Sequence, residues 1–114
     1  MSDGRLTDYL GHLKQAALDA TGFVEGMTRE AFRQDKRTQQ AVVMSLVIMG
    51  EAATRLMERH AAYCEAHPSI PWRNMRGMRN RIAHGYFELD LDVVWDTVDT
   101  ALPQLLAQLR ELGV

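Results

Sequence analysis

Apolar residues recur along this chain with helical spacing and almost nowhere with strand spacing. Leu6, Tyr9, Leu10, Leu13, Ala17 and Ala20 fall on one stripe, predicting a first helix from about Leu6 to Phe23 or Val24. Gly22 and Gly26 weaken its end, and Thr28 then heads a short turn, TREAF. A second helix is expected from near Asp35 or Thr38 to about Ala62 or Tyr63. Its middle, AVVMSLVIMG (41–50), is apolar almost all round, which marks a central helix contacted on several sides. HPSIPW (67–72) is a break, because each proline disfavours helix in the residue before it. Pro71 suits the first turn of a third helix, which should stop near His84 with Gly85 as a left-handed exit. Asp90 then caps a fourth helix from Leu91 to about Leu112, with a kink expected at Pro103. Its buried face is Val94, Trp95, Val98, Leu102, Leu105, Leu106 and Leu109. The pattern predicts an all-α chain, an antiparallel bundle of four to five helices. With 114 residues there is no room for a second core, so residues 1–114 are expected to form one domain.

Charge adds what periodicity leaves out. A net charge of −2 argues against coating nucleic acid by overall charge, but a local patch can still neutralise phosphates. The distribution is uneven. Residues 69–84 hold Arg73, Arg76, Arg79 and Arg81 and no acid, whereas 86–99 hold Glu88, Asp90, Asp92, Asp96 and Asp99 and no base. A single cysteine, Cys64, excludes an intramolecular disulfide and fits a reducing compartment. His12, His60, His67 and His84 are scattered, with no CxxC or HxxxH spacing, so neither a metal nor another cofactor is expected. The stretch MSDGRLTDYL lacks the pattern of a signal peptide, and 41–50 is too short to span a bilayer. The expected location is cytoplasmic, without a membrane partner.

The third helix carries the candidate chemistry. At about 100° per residue, Met75, Met78 and Ile82 share one side, flanked by Trp72. Arg73, Asn80 and His84 cluster on the other, with Gly77 among them and Arg76 at the edge. Arg79 lies at the boundary, where its long stem can swing towards His84. Spacing alone leaves two readings open. The basic residues either complement the helix dipole on a solvated face or form a phosphate site. Gly77 on the polar face either admits a partner's backbone or is a neutral accident. Glu51 follows a nearly all-apolar run, so its carboxylate needs a partner, either Arg55 four residues on or an arginine of the third helix. Trp72 and Trp95 could stack on bases, but their helical phase favours the core.

RNRIAHGY (79–86) reads Arg-x4-His-x-Tyr, with Arg79, Asn80, His84 and Tyr86 in place. With the flanks GEAATRL (50–56) and HPSIPWRNMRGMRNRIAHGYFELDLDVVW (67–95), the chain resembles the HepT-like branch of the HEPN ribonucleases. The likeness is strong over the last two thirds, and the first helix matches only by length and pattern. That resemblance implies a HEPN-like homodimer through the motif helices and metal-independent cleavage of RNA. It also implies a toxin of a type VII toxin–antitoxin system, partnered by a minimal nucleotidyltransferase (MntA-like) antitoxin. The implied catalytic pair is Arg79 and His84. Histidine ordinarily titrates near neutrality and suits acid–base work on the 2′-hydroxyl, while arginine's planar fork clamps phosphate oxygens. Asn80 and Glu51 support the motif, Arg73 and Arg76 guide the RNA backbone, and Tyr86 receives AMP, which blocks the site. The alternative for Tyr86 is a half-buried tyrosine that packs the helix exit against Phe87. Two other classes of function compete: a non-catalytic binding subunit of a nucleotidyltransferase complex, and a helical dimerisation module whose basic face is only solvated.

Overall fold

The computed structural model describes the backbone of residues 2–114 and the side chains from residue 5 onward. All regular structure among the described residues is helical. Helix α1 (Ser2–Phe23) ends where Gly26 takes φ +79°, a conformation that a side chain would strain. Thr28 then caps the short α2 (Arg29–Arg33), its Oγ1 accepting from the Ala31 N–H at 3.1 Å. Asp35 caps α3 (Lys36–Arg59) in the same way, accepting from the Thr38 N–H at 3.0 Å and from its hydroxyl at 2.8 Å.

Helix α3 stops short of the expected Ala62 or Tyr63. At His60 the backbone leaves the helix (φ −136°), and α4 (Ala61–Ala66) starts in a new direction. The break has a use. It brings the Cys64 and His67 carbonyls to the indole N–H of Trp72, which donates to both at 3.2 and 3.1 Å. Trp72 and Trp95 are both buried core residues, as their helical phase favours.

Helix α5 (Trp72–His84) packs Met75, Met78 and Ile82 inward, as the phase predicts. Gly85 departs from the expected left-handed exit, since its φ is −148°. A 3-10 turn (Tyr86–Glu88) follows directly, its Glu88 N–H donating to the Gly85 carbonyl at 3.0 Å, and this turn replaces a left-handed cap.

Asp90 caps α6 (Leu91–Asp96) as expected, accepting from the Asp92 N–H at 2.9 Å. The anticipated interruption at Pro103 takes the form of a π-helical turn (Thr97–Ala101) leading into α7 (Leu102–Glu111). There the Leu102 N–H reaches back five residues to the Thr97 carbonyl. Pro103 therefore enters in the first turn of α7, directly after the π-helical turn that accommodates its missing N–H.

Helix α3 lies at the centre, packed on α1 along one side and α5 along another. It is long and apolar enough by length and composition to cross a membrane, but Val42, Leu46, Met49 and Leu56 are spent on this core. Its apolar surface is not fully covered. Met44 remains 58% exposed and Ile48 45%.

The acidic run after α5 has a structural outlet. Arg29 and Arg33 of α2 pair with Asp92 and Asp96 of α6, with Arg29 Nη2 at 2.8 Å from Asp96 Oδ1 and Arg33 Nε at 3.0 Å from Asp92 Oδ1. The Arg33 hydrogen bond, then that of Arg29, holds the Asp92 carboxyl below its ordinary value, against some desolvation. The Thr38 amide and hydroxyl do the same for Asp35. A carboxyl depressed on folding contributes stability that is complete above its unfolded value of 3.8 and is lost as pH falls through its lower folded value. The melting-temperature gap between wild type and Asp92→Asn should therefore be steady above about pH 5 and close in more acid solution. A gap independent of pH down to pH 2 would contradict the clamp.

Candidate active site

Four of the residues singled out from the sequence lie at the α3–α5 seam or the end of α5, but not as one cluster. Arg79 faces α3. Its Nη1 donates to Glu51 Oε1 at 2.8 Å and its Nη2 to Thr54 Oγ1 at 3.2 Å. The side chain is only 25% exposed, and its buried Nε has no hydrogen-bond partner. Glu51 is shared, with its second oxygen 3.0 Å from Arg55 Nη2. Both partners weighed for Glu51 are thus engaged at once, one local and one from the motif helix.

This seam depends on Gly50. A Cβ there would overlap the Arg79 Cβ and lie 2.7 Å from the Met75 carbonyl oxygen. The missing side chain lets α5 approach closely enough for Arg79 to reach Glu51 and Thr54. Thr54 is buried and donates its own hydroxyl proton to the Gly50 carbonyl at 2.8 Å, which leaves its lone pairs to accept from Arg79. The sequence reading missed Gly50 and Thr54 as site residues, although both lie in the GEAATRL run with Glu51.

His84 lies elsewhere on the same helix. It is exposed, has no hydrogen-bond or ion-pair partner among the described residues, and lines a groove with Asn80, Arg81 and Val93. Five residues of helix separate the Arg79 and His84 directions by about 140°. The expectation that Arg79 reaches round to His84 within one chain is not met, because both its terminal nitrogens are held on α3.

Arg73 and Arg76 also differ from expectation. They line a second groove with Met57, Cys64 and Trp72, towards the start of α5, rather than the groove of His84. Neither has a hydrogen-bond or ion-pair partner among the described residues. A cation without a carboxylate partner remains available to a phosphate. Gly77, next to Arg76, has nothing within 4 Å of where a Cβ would sit, so that face is open.

Tyr86 occupies the 3-10 turn with its side chain accessible, the residue being 45% exposed. Its ring meets that of Phe87 edge to face, the centroids 5.9 Å apart. Phe87 is itself 96% exposed, so the pair does not bury the helix exit. Cys64 is buried, and burial raises its thiol above the ordinary value, which disfavours the reactive thiolate.

Comparison with known proteins bears on what this arrangement serves. The family model described as "Ribonuclease HepT-like" matches residues 13–112. An inferred RNase of Methanocaldococcus jannaschii is 33% identical over 107 residues, covering 94% of this chain and 83% of that protein. An inferred ribonuclease HepT of Thermococcus cleftensis is 36% identical over 105 residues, covering 92% and 93%. An inferred RNase of Caldanaerobacter subterraneus is 33% identical over 104 residues, covering 91% and 90%. No solved structure gives a significant match. The family match takes in α3, α5 and the whole RNRIAHGY stretch, and the chain belongs to the HepT-like ribonuclease family.

Proposed function

We propose that this protein is an endoribonuclease in which Arg79 and His84 act on the RNA backbone without a metal. The observation that carries this reading is the partnerless His84, exposed beside Asn80 and Arg81 at the end of α5, in a chain of a ribonuclease family. The chemistry asks little of the protein. The ribose 2′-oxygen attacks the adjacent phosphorus while a base takes its proton, and the P–O5′ bond breaks as the leaving oxygen is protonated. The products are a 2′,3′-cyclic phosphate and a 5′-hydroxyl. An imidazole supplies the proton transfers, and a guanidinium fork neutralises the charge that develops on the phosphate. Asn80 orients the imidazole or phosphate, Glu51 holds Arg79 until substrate claims it, and Arg73 and Arg76 steer the backbone.

The divergence of Arg79 and His84 favours a site completed by a second copy of the chain. In a homodimer through the motif helices, two copies of each residue share one cleft. Met44 and Ile48 support this, because they lie on the same stripe of α3 as Glu51 and are uncovered. Ile48→Glu is expected to shift the protein from dimer to monomer in sedimentation velocity and to lower cleavage with it. An active monomer would exclude the shared cleft.

The protein acts, on this reading, as the toxin of a type VII toxin–antitoxin pair, silenced when a minimal nucleotidyltransferase antitoxin transfers AMP to the accessible Tyr86. Intact mass after co-expression with such an enzyme should show one AMP-sized increment in wild type and none in Tyr86→Phe. An increment that persists in the variant, or none in wild type, sinks the modification. A second reading, a non-catalytic binding subunit, draws on the engagement of Arg79 by Glu51 and Thr54. Expression of wild type against Arg79→Ala and His84→Ala separates the two. The ribonuclease reading expects growth arrest and broken RNA with wild type alone. Intact RNA from all three, as folded dimers, favours the binding subunit.

A further inference from the structure

The groove that His84 lines has chemistry that cleavage of a phosphodiester does not use. It encloses about 500 Å³ between the end of α5 and the start of α6. Met78, Leu89 and Val93 supply apolar lining, and Asn80, His84, Glu88 and Asp90 add polar groups. Phe87, between the groove-lining Gly85 and Glu88 in sequence, projects from the 3-10 turn almost wholly into water. The turn is held by backbone bonds on both sides, from the Glu88 N–H to the Gly85 carbonyl and from the Leu89 N–H to the Tyr86 carbonyl. The ring contact of Phe87, edge to face with Tyr86, leaves it 96% exposed. The Trp72 and Trp95 rings, which could have served as platforms, are buried.

We propose that this groove, with Phe87 at its edge, is a subsite for one unpaired base of the RNA beside the scissile phosphate. The proposal rests on the ribonuclease reading and deepens it by naming what binds next to His84. Three features select a nucleobase. Apolar lining and an exposed aromatic ring accept a π-face, and every base has two. The Asn80 amide both donates and accepts, as base edges do. Glu88 and Asp90 only accept when ionised, and Asp90 commits one oxygen to its cap, leaving the other without a partner among the described residues. Two acceptors in one groove favour bases with an exocyclic amino group, so cytosine, adenine and guanine should bind better than uracil. Arg81 and His84 line the groove as well, so the phosphate and base of one nucleotide share it.

The test is equilibrium binding, by fluorescence anisotropy, of a short single-stranded RNA made uncleavable by a 2′-deoxy residue at the cut. The neighbouring nucleotide carries cytosine, adenine, uracil or no base. Wild type should bind the amino-bearing bases about tenfold more tightly than the abasic strand. Phe87→Ala, at a position too exposed to endanger folding, should erase most of that difference and leave abasic binding unchanged. Equal loss on abasic and base-bearing RNA would overturn the proposal, as would no preference for a base in wild type. So would a Phe87→Ala protein that changes only its oligomeric state. The assay needs no cleavage, so a wild type that binds with this preference yet never cuts refutes the ribonuclease reading and leaves the base subsite standing.

Discussion

Replacing His84 with alanine is expected to lower the rate of RNA cleavage by about a hundred- to ten-thousand-fold, with the thermal melting curve unchanged. The loss should be chemical because His84 has no hydrogen-bond or ion-pair partner among the described residues, so no fold contact goes with it. Arg79→Ala should lose activity to a similar degree. Its removal gives up the bonds to Glu51 and Thr54, offset in part because Glu51 keeps Arg55 and the unpaired Nε of Arg79 disappears with it. Arg79→Lys should not restore the rate, because an ammonium keeps the charge but not the planar fork. Steady-state rates on a fluorogenic RNA, with calorimetry on the same preparations, test all three. A His84→Ala protein at wild-type rate would remove His84 from the reaction.

The largest expected effect on stability comes from a single methyl group. Gly50→Ala should destabilise the protein by about 2 kcal/mol, because its Cβ would overlap the Arg79 Cβ and press on the Met75 carbonyl. Alanine's better helix propensity, about 1 kcal/mol, works the other way and is outweighed. Gly77→Ala supplies the contrast within α5. With nothing near the new methyl, that substitution should gain up to about 1 kcal/mol. Denaturant titration of both variants gives the comparison. If both glycines respond with the same sign, the α3–α5 seam is looser than its geometry implies.

What could be read beforehand was what depends on near neighbours. Asp90 caps its helix as expected, and Thr28 and Asp35 cap where a turn and a helix start were expected, because capping needs only a side-chain oxygen two or three residues from an unpaired N–H. The buried stripes of α1 and α5 follow from period alone. Arg79 shows the limit. Helical phase put it at a boundary, and its direction was then decided by how closely α5 approaches Gly50, a distance that no local pattern carries. Arg73 shared an azimuth with His84, but the groove it lines belongs to α4 and the α4–α5 connection. Pro103 predicted an interruption without its form, since a kink and a π-helical turn relieve the same missing bond. Phe87 was read only as packing for Tyr86, because a short aromatic pair beside a helix end gives no sign of whether anything will cover it.

The most direct test of the central claim is the chemistry of the cut ends. Purified wild type should cleave single-stranded RNA in EDTA, leaving 2′,3′-cyclic phosphate and 5′-hydroxyl termini, and a 2′-deoxy residue at the cut should stop cleavage there. RNA left intact by folded protein, ends bearing a 3′-hydroxyl, or cutting that continues at the 2′-deoxy position would each contradict attack by the ribose hydroxyl.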